Sequence, residues 1–130
     1  YVASMAEKYQ AEIHLLHVTR ALDAMVNTYI VQPSITEFKK LASNVEQEIL
    51  SGAQSRLSDF RKKHFDNFLN LKTTVVSGNN YNEILNYVEA EKIDLIIMGT
   101  GSPLHKMVFG AVADKVSKLA AVPVMLIKTV

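Results

Sequence analysis

Four short apolar runs recur along the chain, and each is separated from the next by a segment of helical spacing. They are AEIHLLHV (residues 11–18), KTTVVSG (72–78), IDLIIMG (93–99) and VPVMLIKTV (122–130). Runs of this length, rich in branched aliphatic side chains, read as strands. Strands joined through helices cannot form hairpins, so they pair in parallel, and each crossover lays a helix on a sheet face. Right-handed crossovers then predict a doubly wound α/β fold. At 130 residues, with no internal repeat or linker, the expectation is one domain over 1–130.

The intervening segments carry their own signals. Val2, Ala3, Ala6 and Tyr9 recur at helical spacing from the start of the sequence, which predicts that Tyr1 lies inside a longer natural chain. Residues 20–33 have no clean period and read as a crossover loop. The tetrapeptide SITE, beginning at Ser34, is a capping box in which the Ser34 hydroxyl and the Glu37 carboxylate satisfy each other's backbone N–H groups. Phe38, Leu41, Val45, Ile49, Ala53, Leu57 and Phe60 then predict one buried face of a helix of about seven turns. A third helix starts at Asn80 as N-cap, with Glu83 in the reciprocal position. A fourth, over 105–121, turns Met107, Val108, Ala111, Val112, the Lys115 stem, Val116 and Leu119 inward. The nearly continuous apolar run IDLIIMG predicts a strand covered on both faces. Pro123 suits the start or open edge of the last strand.

Composition narrows the function classes. Fourteen Lys and Arg balance thirteen Asp and Glu, a net charge of +1, so no global field draws in nucleic acid or anionic lipid. RKKH at 61–64 reads as a solvated helix face. The sequence has no cysteine, which excludes disulfides and thiolate chemistry and fits a reducing compartment. No apolar run reaches the roughly 20 residues a bilayer requires. The expectation is a cytoplasmic protein with neither membrane nor nucleic-acid partners.

Ligands of open parallel sheets bind at the carboxyl ends of the strands. The richest such loop follows IDLIIMG. Gly99 and Gly101 admit a close backbone approach, the helix that follows supplies N–H donors, Ser102 adds a hydroxyl and Lys106 a cation. These are the parts of a phosphate site, and GTGSP is equally a good tight turn. The loop is neither a P-loop nor G-x-G-x-x-G, since Leu104 stands where the third glycine belongs. His14 and His17, three apart on a strand, point to opposite faces and cannot share a metal. The five methionines fit core filling. Nothing in the residues argues for a catalytic centre.

The segments EIHLLHV, VVSGNNYNEILNYVEAEKIDLIIMGTGS and FGAVADKVSKLAAVPVMLIK resemble the universal stress protein domain over nearly the whole chain. The resemblance implies a five-stranded doubly wound sheet of order 3-2-1-4-5, with its first, central strand lying before Tyr1, and a homodimer formed through the terminal strand at 122–130. It also implies an ATP site lined by Val18 near the base and by Gly78, Gly99, Gly101, Ser102, Lys106, Gly110 and Ala111 near the phosphates. The family loop runs G-x-x-G, nine residues, then G-[ST], and this sequence departs from it. Gly101 sits one place early, only eight residues separate it from Gly110, and Ala111 replaces the hydroxyl residue. Two functions therefore stand side by side: a non-enzymatic stress-response module that takes ATP, and a dimeric interaction module without a nucleotide. Asp114, on the helix after Gly110, reads as a surface charge rather than a catalytic group.

Overall fold

The computed structural model describes residues 1–19, 35–99 and 110–128, which form four helices and four strands in the order α1 (Val2–Tyr9), β1 (Ile13–Thr19), α2 (Ile35–Phe65), β2 (Leu71–Ser77), α3 (Asn80–Ala90), β3 (Ile96–Gly99), α4 (Ala111–Leu119) and β4 (Val124–Ile127). The fold is α/β with parallel strands. Residues 20–33 and the capping box at Ser34 lie outside the described residues. The chain divides into two compact units, Tyr1–Asn79 and Asn80–Val130.

In the first unit β1 and β2 pair in parallel, from Ile13 opposite Leu71 to Thr19 opposite Ser77. Their amino ends close over a core of Ala6, Ile13, Phe65 and Leu71, with Val2, Ala3, Leu15 and Phe68 packed around it. Phe65 lies in this core with Leu71, at the start of β2, whereas the Glu46 carboxylate accepts a hydrogen bond from Ser77 at its end. The long helix α2 thus runs antiparallel to β2. Its inward stripe differs from the predicted one. Ala53 is buried and Leu57 half-buried, as expected, but Val45, Ile49 and Phe60 are exposed while Glu46, Leu50 and Phe65 turn inward. The observed stripe is rotated about one residue along the helix, because its partner is a narrow two-stranded surface that covers only part of a broad apolar arc. Phe38 and Leu41 lie outside the residues whose side chains are described.

Neither α1 nor α3 ends on glycine. Gln10 (φ 51°) and Lys92 (φ 52°) adopt the left-handed conformation instead. In both places the following N–H, of Ala11 or Ile93, bonds back to the carbonyl of Ala6 or Val88, and Gln10 and Lys92 bond to Glu7 and Glu89. This is a Schellman closure, and it turns each helix directly into the segment leading to the next strand. The third helix begins at Asn80 itself, so the cap position falls one residue earlier, on Asn79.

In the second unit β3 and β4 pair in parallel, from Ile96 opposite Val124 to Gly99 opposite Ile127. Pro123 precedes the strand, where its missing N–H costs nothing, and its carbonyl accepts from the Ile96 N–H. Val116 is 0% exposed, and Ala113 and Ile96 are also buried. The predicted inward face of α4 is corrected in two places: Ala111 and Leu119 are exposed, and Ala113 is buried instead. A nine-residue helix presents a narrow stripe, and Ala113 and Val116, three residues apart, fill it. Lys115 sends its ammonium over the ring of Tyr81, 4.9 Å from the centroid, and so ties α4 to α3. The strand of 93–99 is shorter than predicted and not covered throughout, with Ile96 buried, Ile97 and Met98 half-buried and Leu95 exposed.

A charged cluster brackets the start of the first sheet. The His14 ring nitrogen lies 2.5 Å from the Glu12 carboxylate, and the Lys72 ammonium reaches the same oxygen at 3.3 Å from the neighbouring strand. His14, chiefly, and then Lys72 hold the Glu12 carboxyl below its ordinary value of 4.5. A depressed carboxylate stabilises the fold above its unfolded value, and the benefit disappears as pH falls through the folded one. Glu12→Gln is therefore expected to lower the urea midpoint at pH 7, and the gap to the parent is expected to close as the pH falls through the depressed value of the folded carboxyl. A gap that persists undiminished in acid would show that the charge of Glu12 is not what stabilises.

Candidate functional site

The carboxyl end of each parallel pair gathers the predicted site residues that are described. In the first unit, β1 ends at Val18 and Thr19 and β2 at Ser77, followed by Gly78. The Gly78 N–H donates to the Thr19 carbonyl at 2.9 Å, so the chain closes the two strand ends together as it leaves the sheet. Gly78 has φ 156°, where a side chain is disfavoured, which explains a glycine here on backbone grounds alone. Val18 is half-buried on the penultimate position of β1, paired with Val76. Val18 and Gly78 are thus brought to one edge.

In the second unit Gly99 ends β3 and is exposed. Gly110 is the N-cap of α4, and Ala111 is the first helical residue. The geometry at Gly110 differs in kind from that at Gly78. Its φ of −49° and ψ of 144° suit any residue, and no side chain caps the helix. A Cβ built on Gly110 would meet nothing within 4 Å. Neither the backbone nor the packing of the described residues asks for glycine there. Ala111 is exposed beside it, with no hydroxyl to offer. Gly101, Ser102 and Lys106 lie outside the described residues.

Two polar residues that open the carboxyl-end loops at Thr19–Arg20 and Ser77–Asn80, both expected from the sequence as candidate ligand loops, hold the first edge in place. Thr19 is buried, and its hydroxyl donates to the Val76 carbonyl at 3.4 Å across the strand pair. Ser77 donates to Glu46 of α2 at 3.4 Å. The only sequence signal for this tying role was a small hydroxyl residue closing an apolar strand. Asp114 behaves as the surface charge expected of it: its carboxylate receives Lys118 at 3.1 Å, one turn on, and its carbonyl accepts from the Ser117 hydroxyl. No helix among the described residues is long and apolar enough to cross a membrane.

Helices alternating with parallel strand pairs match what the resemblance implied, and the model of the universal stress protein family matches the chain over residues 1–128. The chain belongs to that family. Among its relatives, universal stress protein MJ0531 of Methanocaldococcus jannaschii is 25% identical over 130 residues, which are 98% of this chain and 71% of that protein. Universal stress protein MJ0577 of the same organism is 27% identical over 97 residues, 73% of this chain and 58% of its relative. Two solved universal stress protein structures carry the same fold. That of MJ0577 superposes with a TM-score of 0.73 at 24% identity, covering 92% of this chain and 76% of the other. UspA from Lactobacillus plantarum superposes with a TM-score of 0.75 at 20% identity, covering 97% and 83%. The parallel pairs β1–β2 and β3–β4 are thus elements of a universal stress protein fold.

Proposed function

We propose that this universal stress protein domain is a non-enzymatic stress-response module that takes ATP at the carboxyl ends of its strands, with an affinity lowered by the loss of a hydroxyl at Ala111. The observation that carries this reading is Gly110. A glycine that neither conformation nor packing requires, placed at an uncapped helix N-terminus, leaves room for a group that is not part of the chain. The unpaired N–H groups of a helix start suit a phosphate. Gly99 of the same unit, with Gly101, Ser102 and Lys106 of the loop that follows it in sequence, completes the proposed phosphate lining. Family membership further supports a five-stranded sheet of order 3-2-1-4-5, in which β1–β2 and β3–β4 supply two neighbouring pairs.

Calorimetric titration of the chain with ATP tests the reading. Saturable binding is expected, and Gly110→Val should weaken it at least tenfold while leaving the thermal midpoint within a few degrees, since a Cβ added there meets nothing within 4 Å among the described residues. Absence of saturable binding at millimolar ATP would sink the nucleotide reading and favour the second one, an interaction module of the same fold without nucleotide. The replacement of the family's hydroxyl residue by Ala111 is the observation on that side. Under either reading we propose a homodimer through the terminal strand at 122–130, because β4 pairs only with β3 among the described residues and its outer edge has backbone groups to satisfy.

A further inference from the structure

The connection between α2 and β2 presents a leucine to solvent on a backbone that is tied down on both sides. Leu69 is 97% exposed. The Phe68 N–H before it donates to the Phe65 carbonyl at 3.0 Å, and the Asn70 carbonyl after it accepts from the Ile13 N–H at 3.0 Å. An exposed leucine by itself needs no explanation. One held in place beside a hole does, because a pre-ordered group loses little entropy when it is bound. The hole is an open cleft of about 360 Å³ between the end of α1 and this connection. Ala6, Ala11 and Phe68 line it beside Leu69 itself, and Glu7 stands on the α1 wall.

The hole is fixed as firmly as the leucine. Ala6 is buried in the core, Phe68 stands edge-on to the buried Phe65 with ring centroids 6.1 Å apart, and the left-handed closure at Gln10 sets the end of α1. Knob and hole therefore lie side by side on one surface. A two-fold rotation makes such a surface complementary to itself, since the Leu69 of each copy then enters the cleft of the other. The charges agree with that partner. The α1 wall carries Glu7 and Lys8, and the end of α2 carries Lys62 and Lys63 with Asp66 directly after it. Seating Leu69 in the opposite cleft sets the α1 end of each copy beside the α2–β2 connection of the other, so that each sign finds its opposite. Charges so mixed give no net attraction for a polyanion or an anionic bilayer.

We propose that two copies of this chain associate through this end of the first unit, with Leu69 of each seated in the cleft of the other against Ala11 and Phe68. The contact is isologous and belongs to a different unit from β4. It adds to a terminal-strand dimer where that forms and stands without it, and it does not depend on whether ATP binds. A surface built around one knob and one hole is small, so the association is a weak and reversible one.

Sedimentation equilibrium of the full chain over a range of concentrations tests it. Leu69→Asn should halve the mass of the assembly, whatever β4 contributes. It should raise the dissociation constant of this contact by about a hundredfold or more, because symmetry removes two buried aliphatic anchors at once. Leu69→Met, which keeps the volume, should keep the assembly. The thermal midpoint of Leu69→Asn should equal the parent's, since Leu69 buries almost nothing in the fold. The sequence has no cysteine, so introduced thiols report one contact at a time. On oxidation, Leu69→Cys mixed with Ala11→Cys should cross-link between copies well ahead of Leu69→Cys mixed with Lys92→Cys, an exposed position in the other unit. A parent that stays monomeric at all concentrations would overturn the proposal, as would a mass that Leu69→Asn leaves unchanged. Equal cross-linking in the two mixtures would overturn the seating of Leu69 against Ala11.

Discussion

Phe65→Ala is expected to destabilise the first unit by about 3–5 kcal/mol, the range for emptying a buried aromatic position. Phe65 closes α2 and is the one side chain of that helix in the core with Ala6 of α1, Ile13 of β1 and Leu71 of β2. Removing its ring leaves a cavity where four elements meet, and the neighbours are held by strand pairing and by the closure of α1, so they cannot collapse to fill it. Against a typical total stability of roughly 5–15 kcal/mol, such a loss leaves the variant close to unfolding at physiological temperature. Urea denaturation followed by far-ultraviolet circular dichroism measures it. Phe60→Ala is the control. The helical period places Phe60 on the buried stripe, yet it is 48% exposed, so its loss should cost about 1 kcal/mol or less. Equal losses at Phe60 and Phe65 would refute the observed rotation of α2.

Restoring a hydroxyl at the start of α4 should have the largest effect on binding. Ala111→Ser is expected to tighten ATP binding by roughly tenfold to a hundredfold. A net hydrogen bond to a charged group contributes about 1.5–3 kcal/mol, and each 1.4 kcal/mol is a factor of ten. Ala111 is exposed and adjoins the glycine cap, so the added oxygen displaces no packed neighbour and costs the fold little. Calorimetry on parent and variant, with thermal midpoints as the control, decides the matter. An unchanged affinity would mean that the nucleotide phosphates do not sit at the N-terminus of α4. A gain shared by Gly110→Val would mean that the space at Gly110 is not where the ligand lies.

Much of the secondary structure was legible because local patterns impose it. The runs EIHLLHV and KTTVVSG could only be strands, and a helix stands within each segment of apolar helical spacing, although the fourth, predicted over 105–121, is described only from Ala111 to Leu119 and has Gly110 outside it. Their ends were harder to read. Gln10 and Lys92 close α1 and α3 in the left-handed conformation through hydrogen bonds back into their own helices, yet neither residue type announces it, since that conformation is ordinarily taken by glycine. The inward faces of α2 and α4 were misread at Val45, Ile49, Phe60, Ala111 and Leu119. Periodicity identifies an apolar arc, but the width and direction of the partner surface select which part of it is covered. The same limit applies at the site. Gly78 and Gly110 look alike as letters after or before a regular element. Only their dihedral angles and surroundings separate a glycine that the turn requires from one that nothing in the described chain requires.

By itself, then, the order of apolar runs and helical spacings determined the α/β class and the parallel pairing, since these follow from periods of two and 3.6 residues and from the impossibility of hairpins across intervening helices, while the family was legible only through the resemblance of particular segments. Tertiary structure alone decided that Phe65 rather than Phe60 anchors the core and that His14, Glu12 and Lys72 share one cluster across two strands. It also decided that Leu69 stands free at the tip of a connection. Burial, register and the meeting of charges distant in sequence are properties of surfaces brought together, and no local period encodes which surfaces those will be.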